Sequence, residues 1–145
     1  LDGFGVHFVY ARGRGPDPLP LVLTHGWPGS FFEMYRLIPL LTDPGAHGGS
    51  PADAFDVVVP SLPGYGYSDR PLETGFASRI PGFWVNLMET LGYRRFAAHG
   101  VDIGASVCNL LGVHHPDNVL GVHVTYPAEP YLGPGAPPLS DDEQR

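Results

Sequence analysis

The stretch AAHGVDIGASV, residues 97–107, decides how this sequence is read. One apolar run ends at Gly100, an aspartate stands at 102, and a second apolar run starts after Gly104. Gly100-Val101-Asp102-Ile103-Gly104 therefore looks like a strand handing over to a helix. A carboxylate at a buried strand end is costly unless something satisfies or uses it. Two readings are open on the pentapeptide alone. Asp102 is an ordinary N-cap of the helix, or it is the centre of a nucleophile elbow. In an elbow the turn is so sharp that side chains two before and two after the centre would collide, which is why glycine is wanted there. The usual centre is serine; aspartate would make a carboxylate nucleophile. The amides that open the following helix favour an anion at that point.

Working outward, strands and helices alternate. GVHFVYARG (5–13) is an alternating, β-prone run and reads as a strand. PLPLVLTHG (18–26) and FDVVVPSLPG (55–64) are short continuous apolar runs, as in strands covered on both faces. RRFAAHG (94–100) and NVLGVHVTYP (118–127) read as further strands. Ser30 with Glu33 makes a capping box for a helix carried by Phe31, Phe32, Tyr35, Leu37, Ile38 and Leu41 up to Asp43-Pro44. Residues 45–54 have the composition of a surface loop, and 65–75 are irregular. Pro81 suits the first position of a helix in which Phe83, Trp84, Leu87, Met88 and Leu91 share a face. Residues 105–115 form a helix stopped by Pro116. No internal repeat is present.

This order predicts an α/β fold with a mostly parallel sheet. Residues 1–127 are assigned to that core, and 128–145 to a proline-rich connection. The connection ends as Ser140-x-x-Glu143, a capping box with no helix after it. That ending, and an opening on Leu1 rather than Met, fit a piece of a longer protein.

Composition narrows the function classes. The 145 residues are 43% hydrophobic and 12% aromatic, enough to build a core, and the 20 glycines and 17 prolines read as many tight turns. The net charge is -7, with only 8 Lys and Arg and no basic stripe, so nucleic acid is not an expected partner. No apolar run reaches the ~20 residues of a membrane helix. The single cysteine, Cys108, suits a reducing compartment, and the cytoplasm is the expected location. No metal-ligand spacing appears, and no cofactor is expected.

In open parallel sheets, ligands gather outside the carboxyl ends of the strands. Three stretches lie there: His25-Gly26-Trp27-Pro28-Gly29-Ser30, residues 61–69, and residues 100–104. The THGWPGS loop tilts the elbow question. His-Gly-x-Pro after an apolar strand can present a backbone N–H into a neighbouring cleft, as an oxyanion-hole partner does. A phosphate loop would want Gly-Lys-Ser/Thr, and a dinucleotide loop Gly-x-Gly-x-x-Gly; neither is present.

With these residues in view, the chain resembles the first half of the core of an epoxide hydrolase of the α/β-hydrolase fold. It is nearest the microsomal and juvenile-hormone branch and its bacterial relatives. The resemblance rests on LTHGWPGSFFEMYRLIPLLTDP, FDVVVPSLPGYGYSDRP, the RI…FW…LM…LGY helix and HGVDIGASV, and so runs across roughly the whole chain. It implies that Asp102 attacks an epoxide carbon to form an alkyl-enzyme ester. A His paired with an acid then activates water to hydrolyse the ester. The N–H groups of Trp27 and Ile103 hold the oxyanion, while His25, Gly26, Pro28, Gly100 and Gly104 shape the loop and elbow. With the loop's sharp reversal, it also implies a cis Trp27-Pro28 peptide. The partner implied is a small-molecule epoxide.

Two departures from the family pattern stand out. Ile103 replaces the tryptophan that usually follows the nucleophile, which counts against a halide-releasing reaction. Pro81-Gly82 falls where the family's helix runs through, so that helix is expected to begin late. The family's cap tyrosines, acid and general-base His have no matching positions here. His7, His25, His47, His99, His114, His115 and His123 are each read as structural or surface residues. Tyr65, Tyr67, Tyr126 and Tyr131 are candidates to line the cleft, and Cys108 is read as a buried small hydrophobe. Two alternatives stay open: a hydrolytic dehalogenase with the same Asp nucleophile, and a non-catalytic fragment or binding lobe.

Overall fold

A computed structural model of the chain describes residues 3–125. Five strands, β1 (Phe8–Ala11), β2 (Leu19–Thr24), β3 (Phe55–Pro60), β4 (Phe96–Gly100) and β5 (Val119–Val124), form one sheet in the order β1-β3-β2-β4-β5. β1 runs antiparallel to β3, and the other three pairings are parallel. Between the strands lie α1 (Leu37–Thr42), α2 (Ile80–Thr90) and α3 (Ile103–His114).

The chain steps from β2 to β3 in one direction, then back across β2 to β4 in the other. Right-handed crossovers therefore put α1 on one face and both α2 and α3 on the opposite face. The buried side chains follow the two-residue period of the strands. Leu21, Leu23, Val57 and Val59 pack with Leu37, Ile38 and Leu41. Val22 and Val58 point the other way, towards Trp84, Met88, Val107, Cys108 and Leu111. The direction reverses at β2, so the connections leaving β2 and β4 diverge and open a crevice at the carboxyl ends of these neighbouring strands. Thr24 pairs with Gly100, which levels the two strand ends and brings the 25–30 loop beside 100–104.

Two expectations need correction. The helix expected after Ser30 is split into a 3-10 turn, Phe31–Met34, and the short α1. Pro39 explains the break, because it has no N–H to donate to the Tyr35 carbonyl one turn back. The capping box is only half made. The Ser30 hydroxyl accepts from Phe32 N at 3.3 Å, while the Glu33 carboxylate folds over Gly29. As expected from Pro81, α2 opens there: it starts at Ile80 with Pro81 in its first turn, where the missing N–H costs nothing.

β5 forms the sheet edge and is largely exposed, with Leu120 and Val122 partly open to solvent. Tyr126, Tyr131, the 128–145 connection and the Ser140 capping box lie outside the described residues. Among the described residues, no helix is long and apolar enough to cross a membrane.

Candidate active site

The turn between β4 and α3 is held by two close approaches. A Cβ on Gly100 would lie 2.1 Å from the Gly104 carbonyl oxygen, and one on Gly104 would lie 2.2 Å from the Thr24 carbonyl oxygen. Only glycine lets helix, turn and β2 come this near. Asp102, at the apex, has φ 52° and is the one non-glycine residue with positive φ among the described residues. A sparsely populated positive-φ backbone at a non-glycine residue costs of order 1–3 kcal/mol and persists only where its surroundings impose it.

The N-cap alternative fails on the hydrogen bonds. The Asp102 side chain makes no capping bond to α3. Its Oδ1 accepts instead from the Trp27 backbone N–H at 2.9 Å, across the crevice. The loop can come this close because residue 26 is glycine; a Cβ there would stand 2.5 Å from the Asp102 Cβ. The amides of Trp27, chiefly, and Ile103 hold the Asp102 carboxyl below the usual carboxylate range. The carboxylate is solvent-exposed and ionised at neutral pH.

The 25–30 loop is anchored from beneath. The His25 ring is fully buried. Its Nδ1 lies 3.1 Å from the Gly26 carbonyl oxygen, and its Nε2 accepts from the Leu62 backbone N–H at 3.0 Å. These partners fix the tautomer: the proton is on Nδ1. Burial, the dominant cause, lowers the His25 pKa from its ordinary value. His25 thus ties the loop after β2 to the loop after β3, with Tyr65 packed edge-on at 5.4 Å. The Trp27-Pro28 peptide is cis. One floor above the core, the Trp84 indole N–H donates to Thr24 Oγ1 at 3.1 Å and fixes the end of β2. Sequence reasoning placed Trp84 in the helix core, but no local signal pairs it with Thr24.

The site residues read from the sequence therefore come together: the Trp27 N–H donates to Asp102, Ile103 follows it, Gly26, Gly100 and Gly104 allow the close approaches, and His25 anchors the loop from the core. The remaining histidines do not join it. His7 Nδ1 is 2.9 Å from the buried Ser61 hydroxyl, and His99 stacks on His123 beside an apolar groove on the α1 face. Tyr67 packs on the His7 ring. No three His, Cys, Asp or Glu side chains gather to hold a metal ion among the described residues.

A family model described as "alpha/beta hydrolase fold" matches residues 20–144. The chain belongs to the α/β-hydrolase fold family. A second model, "Epoxide hydrolase N terminus", matches residues 1–34. An epoxide hydrolase homologue of Stigmatella aurantiaca is 50% identical over 128 residues, covering 88% of this chain and 29% of its own length. Epoxide hydrolase 1 of Oryctolagus cuniculus is 42% identical over 129 residues, covering 86% of this chain and 28% of its own. The crystal structure of juvenile hormone epoxide hydrolase from Bombyx mori superposes with a TM-score of 0.76 at 34% identity, over 86% of this chain and 33% of that one. The chain thus spans less than a third of the length of the curated relatives it matches. It corresponds to the part of the α/β-hydrolase core that carries the crevice described above.

Proposed function

We propose that Asp102 is the nucleophile of an epoxide hydrolase. The observation that carries this reading is the Trp27 N–H donating to Asp102 Oδ1 at 2.9 Å from an elbow held at positive φ. With Oδ1 engaged there, Oδ2 is the oxygen presented for attack. An Oδ2–carbon bond forms at an epoxide carbon, and the carbon–oxygen bond of the ring breaks. The ring oxygen leaves as an alkoxide that takes up one proton.

The second step reverses the polarity of the same carboxyl. Water adds to Cγ of the ester, and negative charge develops on Oδ1. The Trp27 amide is already aimed at that oxygen and the Ile103 amide faces the same carboxyl, so the oxyanion forms in a prepared setting. The tetrahedral intermediate then expels the diol and restores the carboxylate. An aspartate suits this chemistry where serine would not. It displaces at saturated carbon, and the resulting ester offers water a carbonyl.

Resemblance assigns the proton donors for the alkoxide and the water-activating His to residues that have no counterpart in this chain. His25 does not substitute, since both its nitrogens are engaged. Ile103 carries no side-chain N–H to hold a departing halide, so dehalogenation is the weaker reading. The cytoplasm remains the proposed location, supported by the unpaired thiol of Cys108.

The test is diol formation from styrene oxide by the intact protein that carries this chain, compared with its Asp102→Asn variant. Loss of turnover by on the order of 10³-fold or more supports the nucleophile. A variant with near-normal turnover refutes it.

A further inference from the structure

Ile103 does two things at once. Its amide belongs to the pair aimed at Asp102, and its side chain, 37% exposed, forms part of the wall of a cavity of about 210 Å³. Leu62, Pro63, Tyr65, Phe76 and Ile80 line the same cavity, and among the described residues the Tyr65 hydroxyl is the only polar side-chain group on its wall. That wall is fixed to the catalytic loop. The Leu62 N–H is bound by His25, and the Tyr65 ring rests on the His25 imidazole. Ile103, which follows the attacking carboxylate in the chain, thus places this apolar space next to the reacting end of a substrate.

We propose that this cavity seats one apolar arm of the epoxide, aryl or short alkyl, and that Ile103 sets the size of arm admitted; the inference rests on the epoxide reading above. The volume is sufficient, since apolar protein cavities of about 150 Å³ already take up benzene. A tryptophan at position 103 would fill part of the space that isoleucine leaves open. Discrimination should then follow apolar burial, about three- to fourfold for each methylene fully taken from water.

The experiment measures, in single turnover, the rate at which the intact protein that carries this chain forms the Asp102 ester with propylene oxide, butene oxide and styrene oxide. Each rate is divided by that of free acetate with the same epoxide. Wild type should favour the larger arms, with styrene oxide on the order of tenfold ahead of propylene oxide. Ile103→Trp, and independently Ala77→Leu on another part of the wall, should pull that ratio towards one. A flat series, or a ratio unchanged in both variants, overturns the inference. A separate titration with benzyl alcohol needs no chemistry. Saturable shifts of the Ile103 and Ile80 methyl signals support the pocket, and their absence overturns it. If no epoxide labels Asp102, the epoxide reading falls, while the benzyl alcohol titration still decides whether the cavity takes an apolar arm.

Discussion

The Trp27 amide and the Asp102 carboxylate, 75 residues apart in sequence, meet at 2.9 Å. Their contact depends on the reversal of strand order at β2, on the level ends of β2 and β4, and on glycines at 26, 100 and 104.

Those glycines separate two kinds of substitution. Gly104→Ala would drive a Cβ to 2.2 Å from the Thr24 carbonyl oxygen, a backbone atom that cannot swing aside. A loss of on the order of 3 kcal/mol in urea unfolding is expected, at the upper end for overpacking. Gly82→Ala is the control. It sits in α2 with nothing within 4 Å of the new Cβ, and should be neutral or stabilising by up to about 1 kcal/mol.

His25 gives the fold an acid-sensitive joint. Its Nε2 accepts from Leu62 N, so protonation breaks that bond and places a charge in the core. The folded pKa lies below the ordinary 6.5, so the unfolded chain binds the proton more readily. The stabilisation is therefore complete above about 6.5 and is lost as pH falls from there towards the folded value. His99, also lowered by burial, adds a slope of the same sign. Urea midpoints should fall between pH 7.5 and pH 5, and His25→Gln should flatten, without abolishing, that fall. An equal slope in the variant would assign the effect elsewhere.

Cys108 reports on the core beneath the elbow. Burial is the main cause pushing its thiol up to about 12, and its side chain is fully covered. A thiol-specific disulfide reagent should leave the native chain untouched at pH 8 and react fully in denaturant. Fast reaction of native protein would contradict the packing of α3 on β2 and β4.

Much of this was legible in the residues. Gly100-x-Asp102-x-Gly104 and the THGWPGS loop pointed to the candidate site, because glycine spacing is a local signal. The runs at 18–26 and 55–64 announced a sheet covered on both faces. What was not legible was non-local or hidden in a single atom. Pro39 breaks a helix whose apolar spacing looked continuous. Leu62 N–H completes His25 from a loop 37 residues away. The antiparallel placing of β1 depends on pairing with β3, which no local pattern states.

Turnover separates the elbow from the rest of the catalytic apparatus. Among the described residues, no histidine is free to activate water beside Asp102. These 145 residues should therefore form at most one ester per chain and show no steady diol production. General acid–base assistance is typically worth ~10²–10⁴-fold per group. Continuous diol release by the chain alone, followed by gas chromatography, would show that a base lies within it.

The most direct test of the central claim is peptide mapping by mass spectrometry after exposure to styrene oxide. The account predicts a mass gain of one epoxide on the peptide containing Asp102, located to that side chain by fragmentation and absent from Asp102→Asn. Modification confined to a histidine, to Cys108 or to another carboxylate, with Asp102 untouched, would contradict it.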